Sequence, residues 1–259
     1  MTELHALFDF RNPLDVDQPM VIPLEDPDDI CYVPKPVQNI VFLLDTSGSM
    51  SFKGGQRINQ LNTAMPIILE SLEEYGEEAE IDIFVRVIAF NDTATWVMGN
   101  MEQGVNVSHA RGLWRDLSAH GSTDTAAAIR LAHTAMRVKY LGARNYHPVV
   151  ILVTDGEAND PTETKQAIEE LRQALSGGKP EKMDKVWRIA VGVEDYNESE
   201  LVNFAMTGTV KDEFGNEYIS VPMVFSVEDV AALSQVLKEV SVGCVRSSAH
   251  GDDNPYIVI

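Results

Sequence analysis

Five oxygen-bearing side chains in three separated segments could together do chemistry. They are Asp45, Ser47 and Ser49 in VFLLDTSGSM, Thr123 in AHGSTDT, and Asp155 in VVILVTDGE. Two carboxylates and three hydroxyls, with no His or Cys among them, suit a small hard divalent cation. Magnesium is the expected ion, with manganese or calcium as alternatives. Gly48 frees the first loop to turn tightly, and the alternating spacing of Ser47 and Ser49 lets both hydroxyls face one point. So modest a cage would leave the cation electrophilic and open to one more anionic oxygen, such as an Asp or Glu of a partner protein. Each residue also has a plainer reading: Asp45 as a loop cap, Thr123 as a helix N-cap, Asp155 as a turn residue before Gly156.

The segments around these residues read as alternating strands and helices. Ile40–Leu44 is uniformly apolar, the mark of a strand buried on both faces. Ile58, Leu61, Met65, Ile68, Leu69 and Leu72 then recur at helical spacing, with Pro66 expected to kink or break that helix. Ile81–Phe90 reads as a strand, with Thr95–Met98 as its partner across an Asn91-Asp92 turn, while 101–118 has no clear pattern. A helix is expected over Asp124–Tyr140, a buried strand over Pro148–Val153, and a helix over Thr162–Leu175 ending at Gly177-Gly178. Strand Val186–Val193, helix Glu198–Ala205, strand Pro222–Phe225 and helix Val227–Val242 complete the series. The alternation predicts an α/β fold: a doubly wound, mostly parallel central sheet with helices on both faces. In such a sheet ligands bind beyond the carboxyl ends of the strands, which is where Asp45 and Asp155 fall. The expected organisation is an acidic, proline-rich arm over 1–37, a domain over 38–242 and a C-terminal tail over 243–259.

The charge narrows the partners. With 40 acidic residues against 20 basic, the net charge of -20 repels nucleic acid and anionic membranes. Six of the 12 prolines lie in residues 1–36, together with eight acidic residues, so that stretch is read as an extended arm or, equally, as a disordered acidic tail. No apolar run is long enough to span a bilayer, and the start MTELHALFDF lacks the pattern of a secretory signal. Cys31 and Cys244 do not make a disulfide framework, so a cytoplasmic protein with reduced thiols is expected. Lys53 and Arg57 are candidates to steer an acidic partner toward the site, against the simpler reading of a solvated rim. The ending Tyr256–Ile259 could add to a sheet edge of a partner or fray.

The same five residues resemble the metal-ion-dependent adhesion site of von Willebrand factor A (VWA) domains. That pattern is Asp-x-Ser-x-Ser after the first strand, a Thr in a later loop and an Asp after the fourth strand. The resemblance covers about Gln38 to Ser241 and implies a Rossmann-like fold in which Ser47, Ser49 and Thr123 ligate magnesium directly. Asp45 and Asp155 would act through water. Arg57–Asn62 and Ile189–Val193 are most similar to the bacterial tellurite-resistance-associated type. That type implies a non-enzymatic binding module in a stress-response or defence system, associated with a protein kinase or phosphatase. Two other functions stay open. A metal-dependent, phosphatase-like hydrolase would need an acid/base at position 47, where Ser47 stands. A metal-independent acidic scaffold would not use the five residues.

Overall fold

Strand β1 (Val37–Asp45) shows how the sequence builds the centre of the molecule. Ile40, Phe42 and Leu44 point into one core and Val41 and Leu43 into another, and all five are fully buried. A strand covered on both sides has no polar face to show, which is why its sequence is continuously apolar. Each such side chain contributes roughly 1.5–3 kcal/mol relative to exposure. The computed structural model describes residues 34–258, apart from 142–144, 180–183, 195, 213 and 229. Residues 1–33 of the expected arm, and with them Cys31, lie outside the described residues.

Around β1 stand β2 (Asp82–Phe90), β3 (Ala94–Met98), β4 (Val105–Asn106), β5 (Val149–Thr154), β6 (Trp187–Val193) and β9 (Val224–Val227), in a seven-stranded sheet ordered β3-β2-β1-β5-β6-β9, with β4 also against β2. The pairs β1–β2, β1–β5, β5–β6 and β6–β9 are parallel, and β3 and β4 run antiparallel to β2. Helices α1 (Phe52–Glu78), α2 (Val107–Leu113) and α7 (Val230–His250) pack over the Ile40–Phe42–Leu44 face. Helices α3 (Thr125–Ala135), α5 (Pro161–Arg172) and α6 (Glu198–Phe204) cover the other. The doubly wound, mostly parallel α/β fold is therefore as expected. No helix among the described residues is long and apolar enough to cross a membrane.

The elements differ from the sequence reading in four places. Helix α1 runs through Pro66 without a break, held by Ala64, Met65, Ile68 and Leu69, all fully buried beside it. The single helix expected over Asp124–Tyr140 is two, because α3 stops at Ala135 and α4 (Val138–Leu141) restarts. At the break the turn tightens, Met136 N–H donating to His133 C=O at 3.0 Å and Arg137 N–H to Ala135 C=O at 2.9 Å. Helix α4 in turn ends where the carbonyls of Tyr140 and Leu141 accept from Arg86 and Asn39, polar side chains buried on β2 and β1. The last strand of the sheet is Val224–Val227 rather than Pro222–Phe225, since Pro222 ends a hairpin of β7 (Thr207–Lys211) and β8 (Glu217–Pro222) that the apolar pattern did not reveal. Finally, 243–259 is not a tail: α7 continues to His250, and β10 (Tyr256–Val258) pairs in parallel with β7. Ile257 is fully buried there, and Ser247 Oγ both accepts from Tyr256 N–H at 2.8 Å and donates to its carbonyl at 3.0 Å.

Candidate metal centre

The order β2-β1-β5 places the reversal of winding between β1 and β5, so loops leaving these two strands part and open a crevice. Asp45 is the last residue of β1, and Asp155 follows the last residue of β5. Asp45 is fully buried, Ser47 and Asp155 are nearly so, and Ser49 is exposed at the mouth.

The first loop is shaped by its own carboxylate. Asp45 Oδ1 accepts from Ser47 N–H at 2.7 Å, which folds residues 45–47 back on themselves. A short 3-10 turn over Gly48–Ser51 then leads into α1. The second loop is tied alongside by main-chain bonds: Gly48 N–H donates to Gly121 C=O at 2.8 Å and His120 N–H to Thr46 C=O at 2.8 Å. A side chain at Gly48 would crowd that contact, and Gly121 turns with a φ of +77° against the Asp92 carboxylate. The third loop holds Thr123 through Asn159, whose side chain accepts from Thr123 N–H at 3.0 Å and whose N–H donates to Thr123 C=O at 2.9 Å.

These ties bring all five predicted residues together. Ser47 Oγ and Ser49 Oγ are 2.9 Å apart, and Ser49 Oγ donates to Asp155 Oδ1 at 2.7 Å. A methyl added at Gly156 would lie 3.5 Å from Ser49 Oγ, 3.7 Å from Thr123 Oγ1 and 4.0 Å from Asp45 Oδ2, so the three loops face one small space. The N-cap of α3 is Asp124, whose side chain accepts from Ala127 N–H at 2.9 Å. Thr123 is thus not the cap, and its hydroxyl makes no hydrogen bond among the described residues. In a magnesium octahedron with bonds of 2.0–2.1 Å, neighbouring oxygens stand roughly 2.9 Å apart. The oxygens of Ser47, Ser49 and Asp155 already keep close to that spacing, and an all-oxygen donor set fits a small hard cation.

Three further residues complete the centre, none of them singled out by sequence. Thr154 Oγ1 donates to Asp45 Oδ2 at 2.5 Å, Asn159 positions Thr123, and Glu194 follows β6 at the same sheet edge. Position could have found two of them, since Thr154 ends β5 and Glu194 follows the apolar run of β6. Burial pushes the Asp45 carboxyl from its ordinary 3.8 up to about 6; the Thr154 and Ser47 hydrogen bonds oppose the rise and the Asp155 charge adds to it.

Arg57 is neither the steering residue nor the solvated rim that its sequence position suggests. It is only 6% exposed, and its guanidinium forks between Asp155 Oδ2 and Glu194 Oε2. Nε and Nη2 reach Glu194 at 3.0 and 2.8 Å, and the exposed Phe52 ring lies 5.5 Å from the guanidinium carbon. Burial disfavours its charge, but the two carboxylates hold it above its ordinary value.

A family model described as von Willebrand factor type A domain matches residues 39–239. Inter-alpha-trypsin inhibitor heavy chain H3 of Mesocricetus auratus is 29% identical over 161 residues, covering 60% of this chain and 17% of that protein. The uncharacterized protein YfbK of Escherichia coli (strain K12) is 24% identical over 208 residues, covering 79% of this chain and 33% of that protein. Among solved structures, a von Willebrand factor type A protein from Catenulispora acidiphila superposes with a TM-score of 0.58 at 20% identity, covering 82% of this chain and 43% of the other. Proximal thread matrix protein 1 from the mussel byssus, with a zinc occupied MIDAS motif, gives a TM-score of 0.54 at 20% identity, covering 81% and 46%. At such identities the likeness extends to the fold alone. The chain spans less than half the length of each of these four proteins.

Proposed function

The chain belongs to the von Willebrand factor type A family, and we propose that it is a non-enzymatic module that takes up an acidic side chain of a partner protein through a divalent cation. The observation that carries this reading is the oxygen cluster. Ser47, Ser49 and Asp155 are linked at 2.9 and 2.7 Å, Asp45 is buried behind them, and the unengaged Thr123 hydroxyl faces the same space. Ser47, Ser49 and Thr123 would hold the cation, with Asp45 and Asp155 around it. A bound cation would supply a Lewis-acidic position for a partner's carboxylate, because its direct donors Ser47, Ser49 and Thr123 are neutral and the two aspartates would act through water.

The zinc occupied motif of the mussel protein supports a divalent ion at this place in the fold. Oxygen-only donors favour magnesium here, since zinc prefers His and Cys. Ser47 at the position where a phosphatase-like hydrolase needs an acid/base supports binding over turnover. The similarity of Arg57–Asn62 and Ile189–Val193 to the tellurite-resistance-associated type supports a cytoplasmic stress or defence role beside a kinase or phosphatase.

Titration calorimetry with magnesium on the wild type and on Asp45→Ala tests the reading. Binding by the wild type with loss in the variant is expected, and equal affinity in both would refute it. A partner captured from solution should be released by chelator. Phosphoester turnover that vanishes in Asp45→Ala would mark a hydrolase instead.

A further inference from the structure

Arg57 lies one turn into α1, yet its contacts are with residues 98 and 137 positions away. One planar guanidinium spans two carboxylates from different loops: Asp155, beyond β5, and Glu194, beyond β6. The side chains of all three are almost wholly removed from solvent, at 8%, 0% and 10% exposed for Arg57, Asp155 and Glu194. Asp155 is consequently held at both ends, Oδ1 by the Ser49 hydroxyl and Oδ2 by Arg57. With both oxygens engaged, the carboxylate cannot rotate, and Oδ1 stays turned toward the oxygen cluster.

We propose that Arg57 is a positioning residue for the cation site, and that Glu194 acts through it to join the end of β6 to that site. The inference rests on the cation-binding reading and extends it to two residues that would not touch the ion. A residue that orients a metal's neighbour by hydrogen bonding commonly changes metal affinity 10- to 100-fold when replaced. Geometry rather than charge sets the role. A lysine at 57 keeps the positive charge but offers a compact ammonium, which cannot reproduce a fork between two carboxylates. A glutamine at 194 keeps an oxygen acceptor but removes the charge that anchors the far side of the guanidinium.

The test is manganese binding followed by electron paramagnetic resonance on the full chain, for the wild type, Arg57→Lys and Glu194→Gln. Melting of each protein in chelator runs in parallel. The expected result is a loss of manganese affinity of about 10-fold or more in Arg57→Lys and a smaller loss in Glu194→Gln. Both losses should exceed what melting in chelator would suggest for folded, cooperative variants. Should Arg57→Lys fail to fold, Glu194→Gln decides alone. Wild-type binding with both variants within twofold of it would overturn the positioning role and leave the cation site standing. No manganese binding by the wild type would overturn the cation site itself, and the role of Arg57 with it.

Discussion

Asp45→Asn probes the electrostatics of the centre directly. In the cation-free protein, burial raises the Asp45 carboxyl from 3.8 to about 6. A carboxyl raised on folding binds more protons in the folded than in the unfolded chain between those two values. Stability therefore falls as the pH rises through that window, and the deficit is complete above the folded value. The difference corresponds to about 3 kcal/mol of destabilisation at neutral pH. For a domain of this size that is roughly 6–12 °C in Tm. Asparagine keeps an oxygen to accept from Ser47 N–H, and the Thr154 hydroxyl can turn to accept from its amide. Melting of both proteins in chelator from pH 4.5 to 7.5 should show the variant gaining steadily on the wild type, by most of that amount. Added magnesium should reverse the order at pH 7, because the cation offsets the charge only where there is one. Parallel profiles of the two proteins in chelator would refute the reasoning, since they would mean that the buried carboxylate carries no penalty.

Three other substitutions probe the frame around it. Gly156→Ala adds a methyl at ordinary contact distance from Ser49, Thr123 and Asp45, so Tm should stay within a few degrees while magnesium affinity measured by calorimetry drops. Gly121→Ala forces an L side chain to a φ of +77° with its Cβ 2.3 Å from Asp92 Oδ2; we expect a loss of about 1–3 kcal/mol in urea unfolding. Ile257→Ala removes the buried anchor of β10 and should cost about 2–5 kcal/mol; no measurable loss would show that β10 does not hold to β7 in solution.

The candidate site was legible in part because Asp45 ends β1 and Asp155 follows β5, where a purely local signal marks the position. A short uninterrupted apolar run such as Ile40–Leu44, bounded by Gly- and Ser-containing sequence, reads as an interior strand of a sheet covered on both faces, and the residue after it lies at the ligand-binding edge. Strand position marks Asp45 and Asp155; Ser47, Ser49 and Thr123 join them as candidates through the resemblance to the metal-ion-dependent adhesion site. The hairpin of β7 and β8 escaped notice because β8 is largely exposed and carries no apolar alternation. The early end of α4 at Leu141 escaped because buried Arg86 and Asn39, distant in sequence, take the carbonyls of Tyr140 and Leu141.

What the sequence determined by itself is the fold class and the oxygen chemistry of the candidate donors, since both follow from residue type and short-range periodicity. What only the tertiary structure decided is how those donors are held. The Thr154 hydroxyl on Asp45 and the Asn159 side chain on Thr123 join residues 109 and 36 positions apart, and the two arms of the Arg57 fork reach 98 and 137 positions. A buried polar group must find a partner, but which one is settled by packing rather than by neighbouring sequence. That is why Arg57 reads as a surface residue of α1 and yet lies beneath the site, between two carboxylates.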